Sequence, residues 1–130
     1  KQTMLSAFKC VAELDAGPIY CKTPLGLEGT AEEILQRASG LMEEIIVDIV
    51  QNNPIPTPQT GEVVEFNRRK PEDGSIASLE SVDQVYNYIR MLDAKGYPSA
   101  FLQTSSFRLE FTQVRWDGDC LEAKVRIGRK

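Results

Sequence analysis

The sequence feature that most constrains the fold is a run of apolar residues with helical spacing between residues 30 and 50. Thr30 and Glu33 form a capping box, in which the hydroxyl and the carboxylate each accept a hydrogen bond from an unpaired backbone amide. The apolar residues of this run share one helical face: Ile34, Leu35, Ala38, Leu41, Met42, Ile45, Ile46, Ile49 and Val50. Because proline disfavours helical backbone in the preceding residue, we expect one core-packing helix that ends before Pro54.

Strand patterns precede this helix. Residues 4–11 are rich in apolar side chains that do not alternate strictly, which is typical of a strand in a sheet covered on both faces. Gly17 and Pro18 indicate a turn, and residues 19–23 have the pattern of a second short strand. We therefore expect the long helix to pack on a sheet to which these strands belong.

The second half of the chain has a different pattern. Ser81 and Gln84 form another capping box, so we expect a second helix at about residues 82–92. A short strand at 100–102 is followed by two segments in which apolar and charged residues alternate, on either side of an Asp-Gly turn at 117–118. This pattern predicts a small antiparallel sheet packed on the second helix.

Three prolines within residues 54–58 mark the segment that joins the two halves. Such a stretch is stiff and extended, so we interpret it as a connector between domains 1–58 and 59–130. Residues 62–66, which follow it, have the composition of a short strand.

Composition excludes several classes of protein. The net charge of −4 disfavours a nucleic-acid partner, because neutralisation of phosphates by basic residues supplies most of the affinity in such complexes. The chain has no histidine, so a zinc site or a Cys-His nucleophile is not expected. The three cysteines form no C-x-x-C pair and are predicted to be buried or half-buried free thiols of a reducing compartment such as the cytoplasm.

No segment is long and apolar enough to predict a membrane span or a signal peptide, so no membrane partner is expected. The chain begins with lysine, which suggests a truncated or partial chain. A homo-oligomer is compatible with the sequence.

The segment that carries the strongest functional signal is residues 13–20, Glu-Leu-Asp-Ala-Gly-Pro-Ile-Tyr. Asp15 stands between the predicted end of a strand and a Gly-Pro turn. A carboxylate in that position can orient a base or accept a proton through water. Taken alone, an aspartate before glycine is more often a turn residue.

Four segments, in order along the chain, resemble the formyltetrahydrofolate-dependent formyltransferase family. Residues 5–20 resemble the segment that ends in the catalytic aspartate of that family. The helix at 30–50 falls where the family has the last crossover helix of its transferase domain. Residues 66–73 resemble the F-x-R-R-x-P-x-D loop of the sugar N-formyltransferase branch, and residues 88–101 resemble the I-R-A and P-x-A segment of the C-terminal domain.

The resemblance implies an α/β fold, in which the tail of a Rossmann-like formyltransferase domain precedes a small α+β C-terminal domain with antiparallel strands. It implies that Asp15 is catalytic, that Glu13, Leu14 and Asp15 contact the cofactor 10-formyltetrahydrofolate, and that no metal takes part. The family also uses an Asn and a His in an N-x-H motif that has no match in this chain. This chain would therefore supply one catalytic group of the family, and by itself it would have no activity.

The resemblance leaves two acceptors open, and a function from another class remains as a third alternative. The acidic balance and the Arg-Arg-Lys-Pro loop favour a small-molecule amine, an amino sugar linked to a nucleotide. Methionyl-tRNA is the alternative acceptor within the family, and tRNA is the less expected partner. The alternative from another class is a non-catalytic binding or accessory module that keeps the family fold.

Five residues of the second half are candidates for substrate binding. Arg68, Arg69 and Lys70 suit an anion such as a diphosphate or the glutamate tail of folate, or else form a solvated loop that balances nearby acidic residues. Arg90 points toward a cleft between the domains or pairs with Asp93. Tyr97, in a Gly-Tyr-Pro turn, stacks on an acceptor ring or packs in the core.

Overall fold

A computed structural model describes all 130 residues, which form two compact units. The first unit comprises residues 1–28 and 34–66, and the second comprises residues 29–33 and 67–130. The strands are β1 (Gln2–Phe8), β2 (Ile19–Gly26), β3 (Ala100–Gln103), β4 (Phe107–Trp116) and β5 (Leu121–Arg129), and the helices are α1 (Ala31–Asn52) and α2 (Val82–Leu92). A short 3-10 turn covers Pro71–Gly74.

In the first unit, β1 and β2 pair antiparallel in a two-stranded sheet, with a shift in register between Ala7 and Phe8. The core of this unit is small and consists of Leu25, Ile34 and Ala38, with half-buried leucines packed around it. The strand β1 is exposed or half-buried along its length, so these residues by themselves do not cover both faces of the sheet, and the doubly covered sheet stays a prediction.

The start of α1 follows the predicted capping box. The backbone amide of Thr30 donates to Glu33 Oε2 at 2.8 Å, and the amide of Glu33 donates to Thr30 Oγ1 at 3.3 Å. The helix then runs for 22 residues and ends just before Pro54, as the sequence predicts.

Only part of the apolar face of α1 is buried. Ile34, Ala38 and Ile45 are buried, whereas Leu35, Met42, Ile46 and Val50 are exposed. The expectation of one continuous buried face is therefore wrong. The physical reason is that the sheet is too narrow to cover the helix. A helix of 22 residues is about 33 Å long, whereas the axes of the two strands lie only about 5 Å apart.

The proline-rich segment is bound to the first unit. Thr57 exchanges two backbone hydrogen bonds with Ile19, at 2.7 and 2.9 Å. Residues 62–66 do not form the expected strand, and Phe66 is 90% exposed. The contacts divide the chain after residue 66, whereas the division into domains 1–58 and 59–130 stays a prediction.

The second unit packs α2 on a three-stranded antiparallel sheet of order β3-β4-β5, as the sequence predicts. Ile89 of α2 is 2% exposed and Ala100 of β3 is fully buried. At the start of α2, the amide of Gln84 donates to Ser81 Oγ at 3.2 Å, and the amide of Glu80 donates to Gln84 Oε1 at 2.9 Å. The return bond of the expected capping box therefore goes to the residue before Ser81.

The turn between β4 and β5 forms at the predicted position. Asp117 Oδ1 accepts the backbone amides of Asp119 and Cys120, at 3.0 and 2.9 Å. These amides, that of Cys120 foremost, hold the pKa of the Asp117 carboxyl below its ordinary value. Gly118 adopts a φ of +108° at this turn, which favours glycine over residues with a side chain.

All three cysteines are free thiols, as predicted; Cys21 is half-buried, but Cys10 and Cys120 are exposed rather than buried. Neither helix is both long and apolar enough to cross a membrane. The fold of the chain is thus α+β with antiparallel sheets.

Candidate functional site

The Asp15 loop, residues 9–18, joins β1 to β2 and lies in the first unit. Its two ends meet, because the amide of Lys9 donates to the carbonyl oxygen of Pro18 at 2.8 Å. Gly17 is buried at this neck, and a Cβ atom there would come within 1.7 Å of the Lys9 carbonyl oxygen. Only glycine fits at this position unless the backbone shifts.

Gln59 holds the loop from the proline-rich segment. Its Nε2 donates to the carbonyl oxygens of both Asp15 and Gly17, each at 2.7 Å. Asp15 itself has a φ of +54°, a left-handed backbone conformation that aspartate tolerates better than most residues. The backbone of the predicted catalytic residue is therefore fixed by a side chain 44 positions further along the chain.

The side chains of Glu13, Leu14 and Asp15 are all exposed, and Leu14 is 91% exposed. The two carboxylates have no hydrogen-bond or ion-pair partner within the chain. The loop thus presents two unpaired carboxylates and one apolar side chain on a restrained backbone. Such a surface can take a proton or accept hydrogen bonds from a ligand that also has an apolar ring.

The basic loop, residues 68–70, lies in the second unit, where two contacts fix Arg69. Its guanidinium lies over the ring of Tyr88, with Cζ 5.2 Å from the ring centroid, and its Nη2 donates to the carbonyl oxygen of Asp73 at 2.9 Å. The carboxylate of Asp73 accepts the backbone amide of Lys70 at 2.8 Å. The 3-10 turn that begins at Pro71 therefore shapes this loop and leaves Arg68 without an intramolecular hydrogen bond.

Four of the five predicted substrate-binding residues line one cavity, which we call the basic-aromatic cavity. It has a volume of about 380 Å³, and its lining residues are Arg68, Arg69, Lys70, Pro71, Gly74, Leu92, Tyr97 and Pro98. The structure thus brings Tyr97, 47% exposed, to the same cavity as the basic loop, although 26 positions separate it from Pro71.

A second cavity, which we call the polar cavity, shares two of these residues. Its volume is about 540 Å³, and it is lined by Asn67, Arg68, Arg69, Glu72, Asp73, Ser75, Ser78 and Tyr88. The polar cavity is thus lined mainly by hydroxyl, amide and carboxylate groups together with the ring of Tyr88, whereas the basic-aromatic cavity adds Tyr97, Leu92 and two prolines to the basic residues.

Arg90 lies apart from both cavities. It is only 8% exposed, and its Nη1 donates to the carbonyl oxygen of Gly29 at 2.7 Å. Its Nε donates to Asn87 Oδ1 at 2.9 Å, and its guanidinium lies 5.7 Å from the Tyr86 ring centroid. These contacts hold the Arg90 side chain inside the second unit, whereas its position at a cleft between the domains and its role in substrate binding stay predictions.

The expected pairing of Arg90 with Asp93 is also not formed. Asp93 Oδ2 instead accepts the backbone amide of Gln113, at 2.7 Å, where β4 shifts register and Gln113 has a φ of +54°. Gln59 and Tyr88 were not predicted as site residues, because their contacts with the Asp15 loop and with Arg69 follow neither helical nor strand spacing. Asp73 was also not predicted, although its bond to the amide of Lys70 has the spacing of a capping box.

Charge is divided unevenly along the chain. Residues 1–66 contain four Lys and Arg against ten Asp and Glu, whereas residues 67–130 contain eleven against nine. The net charge of −4 thus combines −6 and +2 in the two parts. Basic residues cluster at the C-terminal end: Lys124, Arg126, Arg129 and Lys130. The argument from total charge against a nucleic-acid partner therefore does not hold for the second half.

No group of three or more His, Cys, Asp or Glu side chains is placed to hold a metal ion.

Comparison with known proteins identifies relatives over most of the chain. Residues 71–128 match the family model described as the C-terminal domain of methionyl-tRNA formyltransferase. The methionyl-tRNA formyltransferase of Cutibacterium acnes is 26% identical over 129 residues, which are 95% of this chain and 39% of that protein. The methionyl-tRNA formyltransferase of Thermodesulfovibrio yellowstonii is 26% identical over 107 residues, 78% of this chain and 35% of that protein.

A solved structure, that of methionyl-tRNA formyltransferase from Clostridium thermocellum, superposes on the whole chain with a TM-score of 0.96 and 40% sequence identity. The chain covers 58% of that structure, so it spans between about a third and three fifths of the length of these relatives. The names of all these relatives support the methionyl-tRNA alternative. The expected amino-sugar acceptor has no support among them. That prediction was based partly on the total net charge, which is the sum of an acidic part and a basic part.

Proposed function

Because the chain belongs to the formyltransferase family and matches its C-terminal part, we propose that it forms part of an enzyme that formylates the amino group of methionyl-tRNA. The observation that carries this proposal is the 40% identity over the whole chain to a structure of that name. The excess of basic residues in 67–130 supports an RNA acceptor, because phosphate neutralisation supplies much of the affinity for RNA.

The formyl donor in this proposal is 10-formyltetrahydrofolate. When bound, it would supply the formyl group, which would pass from the folate nitrogen to the acceptor nitrogen, while one proton from the acceptor amine would end on the released folate nitrogen. The Asp15 loop fits such a donor, because Leu14 offers an exposed apolar contact beside two unpaired carboxylates. Glu13, Leu14 and Asp15 would hold the donor.

Asp15 is the group that we assign to the chemistry. A carboxylate fixed by its backbone can orient a base and stabilise its protonated form. The two hydrogen bonds from Gln59 restrain the backbone of this residue and leave its side chain exposed. By the family resemblance the base would be the histidine of the N-x-H motif, and these 130 residues contain no histidine.

We also propose that residues 1–58 are the tail of a Rossmann-like transferase domain. The exposed apolar side chains of α1 support this, because an apolar face of that length is rarely left in water. Leu5, Phe8, Met42, Ile46 and others line a shallow groove of about 370 Å³ in the first unit, which further strands of such a domain would cover.

The test is a formylation assay on methionyl-tRNA with 10-formyltetrahydrofolate, using the longest natural protein that contains this chain. Asp15→Asn should lower kcat/KM by about 10³-fold or more, since loss of one carboxylate from a cooperating set removes most of the rate. Glu44→Gln, which removes one exposed carboxylate from α1, is the matched control and should leave the rate unchanged.

Two results would contradict the proposal. Equal activity of Asp15→Asn would remove Asp15 from the chemistry. Binding of methionyl-tRNA or of the donor without turnover by the unaltered protein would favour an accessory module that keeps the family fold. The 130 residues by themselves should give no turnover.

A further inference from the structure

The basic-aromatic cavity combines two kinds of ligand contact in one place. Arg68, Arg69 and Lys70 supply three positive charges at its edge, whereas Tyr97 and Leu92 supply a ring and an aliphatic side chain. A volume of about 380 Å³ lies within the range of roughly 300–1,000 Å³ in which small-molecule sites usually fall. A ligand that uses both kinds of contact carries an anionic group and a planar ring.

The anion contact is partly organised in advance. The stacking of Arg69 on Tyr88 and its bond to the Asp73 carbonyl oxygen fix the direction of one guanidinium, and its other N–H groups are left for a ligand. Arg68 makes no hydrogen bond or ion pair within the chain. Both arginines line the cavity, and a guanidinium group suits the oxygens of a phosphate, which it can bind in a bidentate way.

The polar cavity, which shares Arg68 and Arg69 with the basic-aromatic cavity, offers groups that can bind a sugar. It adds the hydroxyl groups of Ser75 and Ser78 and the carboxylate of Glu72, all of which can pair with ribose hydroxyls. The carboxylate of Asp73 is already satisfied by the amide of Lys70. Arg68 and Arg69 line both cavities, so a ligand whose phosphate lies against them can reach these polar groups or the ring of Tyr97.

We infer that the basic-aromatic cavity binds one nucleotide unit, with its phosphate against Arg68 and Arg69 and its base on the ring of Tyr97. This inference deepens the proposed function, because it names the part of the acceptor that the second unit holds. The nucleotide has two possible sources, a residue of an RNA chain or the nucleotide of a sugar nucleotide, and the two share the chemistry that the cavity recognises.

The first test measures binding of adenosine 5′-monophosphate to the 130-residue protein by calorimetry, with adenosine and inorganic phosphate as partial ligands. The monophosphate should bind at least about tenfold more tightly than either part, because each part uses only one half of the cavity. Tyr97→Ala should weaken binding of the monophosphate and of adenosine by about tenfold, a loss in keeping with base stacking worth about 1–3 kcal/mol. Tyr97→Phe should keep the affinity.

Substitution of the arginines tests the phosphate contact separately. Arg68→Ala should weaken binding of the monophosphate by about fivefold and reduce its salt dependence, with adenosine unaffected. The double variant Lys124→Ala with Arg126→Ala removes two charges from β5, which lines neither cavity, and should bind the monophosphate normally. Because Arg69 also packs on Tyr88, Arg68 is the safer position for the decisive variant.

Competition distinguishes the sources. Displacement of the monophosphate by a short single-stranded RNA assigns the site to RNA, and displacement by a uridine-diphosphate sugar alone assigns it to a sugar nucleotide; both support a nucleotide site. Displacement by tetrahydrofolate instead would assign the cavity to the formyl donor and overturn the inference. Absence of binding, or equal binding by Tyr97→Ala and Arg68→Ala, would also overturn it.

The test separates this inference from the proposed function. Formylation of methionyl-tRNA that persists in a protein without nucleotide binding would remove the cavity assignment alone. Nucleotide binding in a protein that does not formylate would remove the proposed function alone.

Discussion

The two units of this chain differ in how far each covers its own apolar surface. In the second unit Ile89, Ala100 and Phe101 are buried where α2 meets a three-stranded sheet. In the first unit a longer helix meets only a two-stranded sheet, and Met42, Ile46 and Val50 stay exposed. The second unit therefore buries the contact between its helix and its sheet, although Phe107 and Ile127 stay exposed, whereas the first unit leaves much of the apolar face of its helix uncovered.

Charge follows the same division. Five of the ten acidic residues before residue 67 belong to α1, and eleven of the fifteen basic residues of the chain come after that point. The total net charge does not show this division, and for that reason it argued against a tRNA acceptor. Charge is informative about partners when it is counted over the unit that would make the contact.

The largest expected effect on stability tests the difference in burial between the two units directly. Ile89→Ala should lower the free energy of unfolding of the second unit by about 2–5 kcal/mol, because the Ile89 side chain is only 2% exposed and its truncation leaves a cavity. Ile46→Ala, at a position 60% exposed, should cost less than about 0.5 kcal/mol in the 130-residue protein. Urea unfolding followed by Trp116 fluorescence for the second unit, and by circular dichroism for α1, measures both.

A large cost for Ile46→Ala in the 130-residue protein would mean that the face of α1 is covered in solution, and the comparison of the units would fail. In a longer protein that completes the first unit, the same substitution should instead cost as much as a core substitution. That difference between the two proteins is the sharper form of the test.

Sequence patterns predicted the elements well where the local signal and the packing agree. The capping hydrogen bonds at Thr30 and the antiparallel strands on either side of Asp117 arise from residues close together in the chain. The extent of burial along α1 could not be predicted, because periodicity gives the direction of a face and not the width of the sheet that meets it.

The candidate site was predicted by residue type rather than by geometry. The basic loop and Tyr97 were chosen for their chemistry, and the cavity that they share depends on the path of the chain after α2. Gln59 was assigned to a connector because its neighbours are prolines, whereas its amide holds the Asp15 loop. Such long-range hydrogen bonds leave no periodic signal in a sequence.

The next largest effect concerns the Asp15 loop, which the first unit restrains by hydrogen bonds although its core is small. Gln59→Ala removes two hydrogen bonds, each worth about 0.5–1.5 kcal/mol net, from the carbonyl oxygens of Asp15 and Gly17. Amide hydrogen exchange at residues 13–17 should become about tenfold faster, and turnover in the formylation assay should fall by a similar factor. Gln36→Ala, an exposed glutamine of α1, is the control and should change neither.

Faster exchange with unchanged turnover would show that the loop is restrained for stability and not for the reaction. Unchanged exchange would show that the neck at Gly17 is sufficient to hold it.

A smaller effect tests the division of charge. Lys124→Ala with Arg126→Ala should weaken RNA binding several-fold and reduce the slope of log affinity against log salt by about 1–2, since each phosphate contact contributes about 0.7–0.9. The same loss of two charges from the first unit, by Lys9→Ala with Lys22→Ala, should leave both quantities unchanged. Equal effects of the two double variants would mean that RNA responds to the total charge of the chain and not to the second unit.

The smallest effect concerns the turn between β4 and β5, which holds the second unit at its outer edge. The amides of Cys120 and Asp119 stabilise the ionised carboxyl of Asp117 and hold its pKa below the ordinary value. Because the folded pKa is depressed, the stabilisation is present at neutral pH and is lost as the pH falls below about 4. Amide exchange at residues 117–120 should therefore accelerate in acid, and Asp117→Asn should remove that acceleration. The side chain is fully exposed, so solvent screens the interaction and the loss stays local. Acid-induced opening that spread to β3 would instead show that the turn, and not the contact of α2 with the sheet, keeps the second unit closed.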